Sequence, residues 1–241
     1  MWRLQRRALA VPVWAALRAA SPGGVGGARG RGSSSSSSWC WRCGGALGGG
    51  GGASCFCPAC RALQPPPPLH GADLFRLMGC PPPRSERSFR LDEAQLQRRF
   101  RSLQRRLHPD RFGQSTQAER DFSEQHSALV NRAYGTLRRP LSRGLHLLEL
   151  NGVELEKGTD SEADPEFLSE IMEINEKLTE TNNEDTREEL ENYIAAKQEE
   201  LARVVGQAFD QDDLQKAKKA LAKMKYFANL EEKVKRTKIP S

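Results

Sequence analysis

The chain has 241 residues, 37% hydrophobic and 28% charged, enough for one or two modest domains at roughly 100–200 residues each. No window approaches the roughly 18 uninterrupted apolar residues of a spanning helix, and 7% aromatic residues with few strand-like runs argue against a large β-sandwich or a doubly wound sheet. Residues 1–72 hold 8 Lys and Arg and no acid, residues 73–150 hold 15 against 9, and residues 151–241 hold 14 against 22, so the net charge of +6 averages a cationic front, a basic middle and an acidic tail.

Residues 1–32 carry Arg3, Arg6, Arg7, Arg18, Arg29 and Arg31 among Trp2, Leu4, Leu9, Val13, Trp14 and Leu17. This is the composition of a mitochondrial transit peptide, a cationic, weakly amphipathic segment drawn by an inside-negative potential. Arg18 interrupts the apolar centre that a secretory signal needs. The expected destination is the mitochondrial matrix, with a disordered basic arm as the alternative; a cytosolic pool stays open.

The next segment, residues 33–64, is rich in Gly and Ser, begins with six consecutive serines, and cannot bury a core by itself. Into it are set Cys40, Cys43, Cys57 and Cys60: two C-x2-C pairs separated by thirteen residues. A two-residue spacing lets both thiolates of one turn point at one ion, and two such knuckles complete a tetrahedral sulfur site. Structural zinc is the favoured reading, because a reducing matrix disfavours disulfides and no thioredoxin-like βαβ pattern surrounds the motif. Two disulfides, a redox-active pair and an iron-sulfur ligand set are the alternatives. Cys55 is a spare thiol with poorer spacing to Cys60 than Cys57 has, and Cys80 reads as a small residue in a turn. The prolines from Pro65 to Pro68 form a stiff spacer within a linker of residues 65–71.

Helices are expected over about residues 73–78, 92–107 and 117–137. In the second, Leu96, Phe100, Leu103 and Leu107 form one apolar stripe, and Arg98, Arg99, Arg101, Arg105 and Arg106 crowd the rest of its surface. In the third, Phe122, His126, Leu129, Val130, Ala133 and Leu137 face inward. The loop between them begins His108, Pro109, Asp110. No nucleophile, carboxylate cluster or phosphate loop accompanies this pair, so catalysis is not expected there. An arginine face could bind phosphate, but the acidic tail opposes it.

His-Pro-Asp between an arginine-rich helix and a second amphipathic helix resembles the J domain of co-chaperones for heat-shock-70-type chaperones, over about residues 72–150. The resemblance implies that the arginine face docks on an acidic chaperone surface while His108, Pro109 and Asp110 stimulate the partner's ATP hydrolysis. A charged docking face would steer encounter at a rate that salt lowers.

Residues 140–150 make a short apolar bridging helix, and residues 151–241 hold three amphipathic helices, about 164–181, 184–209 and 213–236, read as an antiparallel bundle. The first has a core stripe of Phe167, Ile171, Ile174 and Leu178; the third, of Leu214, Ala217, Leu221, Met224, Ala228 and Val234. Leu168 and Met172 lie off the core line beside Glu173, Glu176 and, a turn later, Glu180. By spacing alone this mixed strip is a wider core face or a protein contact.

The run from Phe167 to Glu176, FLSEIMEINE, resembles the FLMEQLELRE-type segment of the HscB family, J-proteins of iron-sulfur cluster assembly. RRPLSRG around Pro140 and L-x-L-x-G ending at Gly152 are similar to that family's linker, and the tetracysteine segment resembles its longer mitochondrial animal form. The resemblance implies that Leu168, Met172, Glu173, Glu176, Glu180 and Tyr226 grip the iron-sulfur scaffold protein. Ser169 departs from the family's Met, and Phe227 is an alternative to Tyr226.

The expected protein is therefore all-α: transit peptide, zinc module, helical-hairpin J domain and three-helix bundle. Its partners would be a mitochondrial heat-shock-70 chaperone, the cluster scaffold and cluster acceptor proteins, without nucleic acid or membrane; a homo-oligomer stays open. It would do no chemistry itself, but activate a partner ATPase. A J-protein for unfolded clients and a zinc-dependent nucleic-acid binder are the competing classes.

Overall fold

The computed structural model describes residues 39–47, 55–67, 72–79, 88–155, 164–180 and 183–237, all within one compact unit, Ser37–Ser241. The expected transit peptide, the serine run and the Cys80 turn lie outside these residues.

Seven α-helices lie among the described residues, and capping signals mark several of their starts. Asp73 caps α1 (Leu74–Met78), which Gly79 ends in a left-handed conformation at φ 60°. Asp92 caps α2 (Glu93–Leu107), a 3-10 turn spans Pro109–Phe112, and Thr116 caps α3 (Gln117–Arg138). Proline stands at the first turn of α4 (Pro140–Leu150) and opens α5 (Pro165–Glu180), where its missing N–H is no loss. Asn183 caps α6 (Glu184–Asp210), and α7 (Leu214–Thr237) follows. The architecture is all-α, as the periodicity implies. No helix among the described residues is long and apolar enough to cross a membrane.

The apolar stripes meet in two clusters. The larger runs from Leu63, Phe75 and Met78 through Leu96, Leu107, Leu129 and Leu137 to Leu147, Leu148, Val205, Leu221 and Met224. It therefore joins the cysteine segment, the α2–α3 hairpin and the inner ends of α6 and α7. Phe89 stacks on Phe209 at 5.9 Å, and Arg90 pairs with Asp210 at 2.9 Å, tying the segment before α2 to the end of α6. Gly144 lets α4 press on α7: a β-carbon there would lie 2.5 Å from Leu221 Cδ2.

The smaller cluster holds Phe167, Ile171, Ile174 and Leu178 of α5, Leu190 and Ile194 of α6, and Phe227, Leu230 and Val234 of α7. The α5 stripe is as expected. On α7 the pattern is corrected: Phe227 is 1% exposed and belongs to the core, whereas Ala228 is only half-buried. α7 packs on α4, with Leu221 against Gly144, and on α5, with Phe227 against Phe167 and Lys233 on Asn175, so it buries more than one line of residues, which a single stripe does not capture.

Candidate functional site

The cysteine segment is built from two copies of one turn. Cys40 N–H bonds the Gly45 carbonyl at 2.8 Å and Gly44 N–H the Cys40 carbonyl at 2.9 Å; Cys57 N–H bonds the Ala62 carbonyl and Arg61 N–H the Cys57 carbonyl, both at 2.9 Å. The residue after each second cysteine takes positive φ, 67° at Gly44 and 60° at Arg61. Each knuckle thereby turns two thiols inward.

All four sulfurs lie within 4.8 Å of one another, with Cys40–Cys60 at 3.6 Å and Cys43–Cys57 at 3.7 Å. Tetrahedral thiolates about 2.3 Å from one ion sit about 3.8 Å apart, so the cluster has the dimensions of a single-ion site. Cys55 stays outside the set. Burial pushes the Cys40 thiol up, but the backbone N–H groups of Cys43 and Arg42 outweigh it and bring it down to about 6. The Cys60 N–H holds Cys57 below its ordinary value. At Cys60 the Ala62 N–H favours the thiolate, yet burial and the other three thiols push it up to about 12. Four sulfur donors gathered at this spacing suit one cation, which would favour all four as thiolates.

The His-Pro-Asp loop lies at the turn of the α2–α3 hairpin. His108 Nδ1 accepts from the Asp110 N–H at 3.3 Å and lies 3.3 Å from Asp110 Oδ2. Phe112 anchors the turn in the core, and Ser123 Oγ donates to the Leu107 carbonyl at 2.8 Å. The His108 and Asp110 side chains are 51% and 88% exposed, so the loop offers a small polar head to a partner. Arg98, Arg99, Arg101, Arg105 and Arg106 are all exposed. Arg98 lies 3.9 Å from Asp92, and the Arg106 guanidinium sits 5.5 Å from the centre of the Phe56 ring.

On α5 the expected strip divides by depth. Met172 is 67% exposed, Leu168 packs half-buried on the smaller cluster, and Glu173, Glu176 and Glu180 are exposed. Glu173 is paired with Lys177 at 2.6 Å. Asn175 accepts from Lys233 of α7 at 3.1 Å, so the flank it shares with Leu168 and Met172 faces α7. Half-buried Tyr226 stands there, edge-on to Phe167 at 5.5 Å. Leu168, Met172 and Tyr226 thus belong to one side, with the glutamates on the outer surface. Phe227 is no surface alternative: it is buried against Phe167 at 5.9 Å.

Two features went unforeseen. On the opposite flank of α5, Glu170 accepts from Tyr193 Oη and pairs with Lys197 at 3.0 Å; burial raises its carboxyl, but these two partners outweigh it and hold it below its ordinary value. The cysteine segment is also docked on α3. Leu63 N–H bonds Glu119 Oε1 at 3.3 Å, His126 Nε2 donates to the Gln64 carbonyl at 2.8 Å, and Trp41 meets Phe122 edge-on at 5.8 Å. The only local signal was T-x-x-E at Thr116 and Glu119, which reads as a capping box.

Two families of known proteins match this chain at separate segments. The family described as "Co-chaperone HscB tetracysteine metal binding motif" matches residues 39–64, and "HSCB C-terminal oligomerisation domain" matches residues 163–235. The human "Iron-sulfur cluster co-chaperone protein HscB" is 54% identical over 198 residues, 82% of this chain and 81% of that protein; its mouse counterpart is 51% identical over 82% of each. The crystal structure of human co-chaperone protein HscB superposes with a TM-score of 0.77 at 53% identity, covering 85% of this chain and all of that one.

Proposed function

This chain belongs to the HscB family of iron-sulfur cluster co-chaperones, and from that premise we propose that it carries the cluster scaffold protein to a mitochondrial heat-shock-70 chaperone and stimulates that chaperone's ATPase. The loop of His108, Pro109 and Asp110 delivers the stimulus. Arg98, Arg99, Arg101, Arg105 and Arg106 dock on an acidic chaperone surface. Leu168, Met172 and Tyr226 anchor the scaffold, with Glu173, Glu176 and Glu180 around them. Joining both functions in one chain raises the effective concentration of client at chaperone. The ATPase cycle then promotes cluster transfer to acceptor proteins; the chain itself does no chemistry.

The observation that carries the client half is Met172, 67% exposed one turn from half-buried Leu168 on a helix whose remaining apolar residues, Phe167, Ile171, Ile174 and Leu178, are buried. An apolar anchor left in water beside a charged row suits a folded partner. Calorimetric titration with the scaffold tests it: micromolar binding, about −8 kcal/mol, is expected for the wild type and loss of binding for the triple variant Leu168→Ala, Met172→Ala, Tyr226→Ala. Equal binding by both would remove the site. A second reading assigns the same strip to self-association, favoured by the description of the family matched over residues 163–235; sedimentation of the same two proteins without scaffold separates the two.

Zinc is proposed as the ion held by Cys40, Cys43, Cys57 and Cys60, whose all-sulfur donors suit it. Changing Cys40 and Cys43 to Ser should remove one metal equivalent by elemental analysis. The composition of residues 1–32 supports import into the mitochondrial matrix.

A further inference from the structure

The cysteine module is seated on the α2–α3 hairpin. Its contacts do not spread evenly over that hairpin. They gather at the end that carries the His108–Asp110 loop: Arg106 in the last turn of α2, Glu119 in the first turn of α3, then Phe122 and His126 on the next turns.

The contacts form a continuous path from sulfur to loop. Gln64 Nε2 donates to Cys40 Sγ at 3.3 Å and to the Ala62 carbonyl at 2.8 Å, which fixes Gln64 to the cluster. The Gln64 carbonyl takes the His126 Nε2–H at 2.8 Å. Beside it, Leu63 is fully buried in the main core, its carbonyl takes the Trp41 indole N–H at 2.7 Å, and its N–H goes to Glu119 Oε1. Glu119 is itself 7% exposed, an unusual depth for a carboxylate. Its other oxygen accepts from Thr116 Oγ1 at 3.2 Å, while Thr116 caps α3 by accepting from the Glu119 N–H at 3.4 Å. Arg42, next to Cys43, lies 3.8 Å from the same carboxylate. The residues that start α3, and so end the loop, are thereby held by residues that the sulfur cluster holds.

The described residues of this segment, 39–47 and 55–64, are poor in core-forming side chains and are ordered by their knuckles. Without a cation nothing bonds the four sulfurs to one another, the knuckles loosen, and Leu63 and Gln64 lose their fixed place. We infer that the tetracysteine module is a clamp on the loop end of the J hairpin, with Gln64 and Glu119 as positioning residues, so that metal occupancy sets how much of the protein presents His108, Pro109 and Asp110 in the chaperone-competent arrangement. This rests on the J-domain reading for its output, but the clamp itself is a structural claim.

A lowered competent fraction weakens apparent affinity by that fraction and leaves saturating behaviour intact. That separates the clamp from the loop, whose loss removes the stimulus at any concentration. The test uses the full chain, metal-loaded and metal-stripped, with Glu119→Ala and Glu119→Gln as variants that retain all four thiols. Amide hydrogen exchange is read first. Stripping the metal, or Glu119→Ala, should speed exchange over residues 117–126 by about tenfold, leave residues 167–178 and 227–234 unchanged, and be partly reversed in Glu119→Gln, which can still accept from Leu63 N–H. Unchanged protection at residues 117–126 would overturn the clamp.

Titration into the heat-shock-70 chaperone is read second. The concentration for half-maximal stimulation should rise several-fold for the stripped protein and for Glu119→Ala, with the maximum retained; an unchanged half-maximal concentration despite faster exchange would overturn the link to the loop. Failure of the loaded wild type to stimulate would sink the J-domain reading instead, and the exchange result would still decide the clamp.

Discussion

The cysteine segment and the α5–α7 bundle reach order by opposite means. In the bundle, nine buried apolar side chains from three helices form the smaller core, and at about 25 cal/mol per Å² of apolar surface such burial stabilises the fold with no ligand. The described residues of the cysteine segment, 39–47 and 55–64, have two isolated β-bridges, Trp39 with Ala46 and Phe56 with Leu63, and few buried side chains of their own. Its order comes from four thiols around one point and from Leu63 and Gln64 seated on the hairpin. A domain that owns its core tolerates changed conditions, whereas one that borrows a core answers to its ligand and its neighbour.

The largest expected effect that sharpens this contrast is metal removal. Structural zinc contributes on the order of 10 kcal/mol to small modules that fold around it. Chelation should therefore move the Trp41 indole N–H resonance to the free-indole position while far-UV circular dichroism, which reports α1 to α7, changes little. A Trp41 resonance that stays in place would show that the module stands without its ion.

Next comes Phe227→Ala, which empties a site that is 1% exposed and lined by Phe167. About 3–5 kcal/mol of stability should be lost in denaturant titration, with metal content unchanged. Metal loss on this substitution would mean that the two regions are not independent.

A smaller effect is expected from His126. Burial depresses its imidazole below the ordinary value of 6.5, and the Gln64 carbonyl only partly offsets this. The unfolded chain then takes up the proton first on acidification, so the contribution of neutral His126 is complete above about pH 6.5 and fades as pH falls from there towards the depressed folded value. Hydrogen exchange at residues 117–126 should speed up over that window and not at residues 167–178. His126→Asn should flatten the dependence; an unchanged pH profile would assign it to other groups.

Much of the fold is legible because helices are local objects. Phe167, Ile171, Ile174 and Leu178 repeat with the helical turn, and Asp73, Asp92 and Thr116 mark starts where their side chains accept the first free N–H groups. The cysteine set is legible for the same reason, since the C-x2-C spacing is the geometry of one turn. What is not legible joins distant segments. Nothing near Leu63 says that its N–H will meet Glu119, 56 residues away, and nothing near Gly144 names Leu221. Phe227 was hidden because α7 packs against different neighbours along its length. Met172 was ambiguous by spacing, and only its exposure separates a contact residue from a wide core face.

We propose two separable functions in one chain, stimulus at the loop and client on the bundle. The most direct measurement is the ATPase rate of the heat-shock-70 chaperone with wild type and His108→Gln, beside scaffold binding by the same two proteins. His108 is half exposed, and its side chain meets Asp110 alone among the described residues, at the N–H and at Oδ2, so the substitution should leave the fold intact. The expected result is loss of stimulation with scaffold affinity unchanged; stimulation by His108→Gln equal to wild type would contradict the claim.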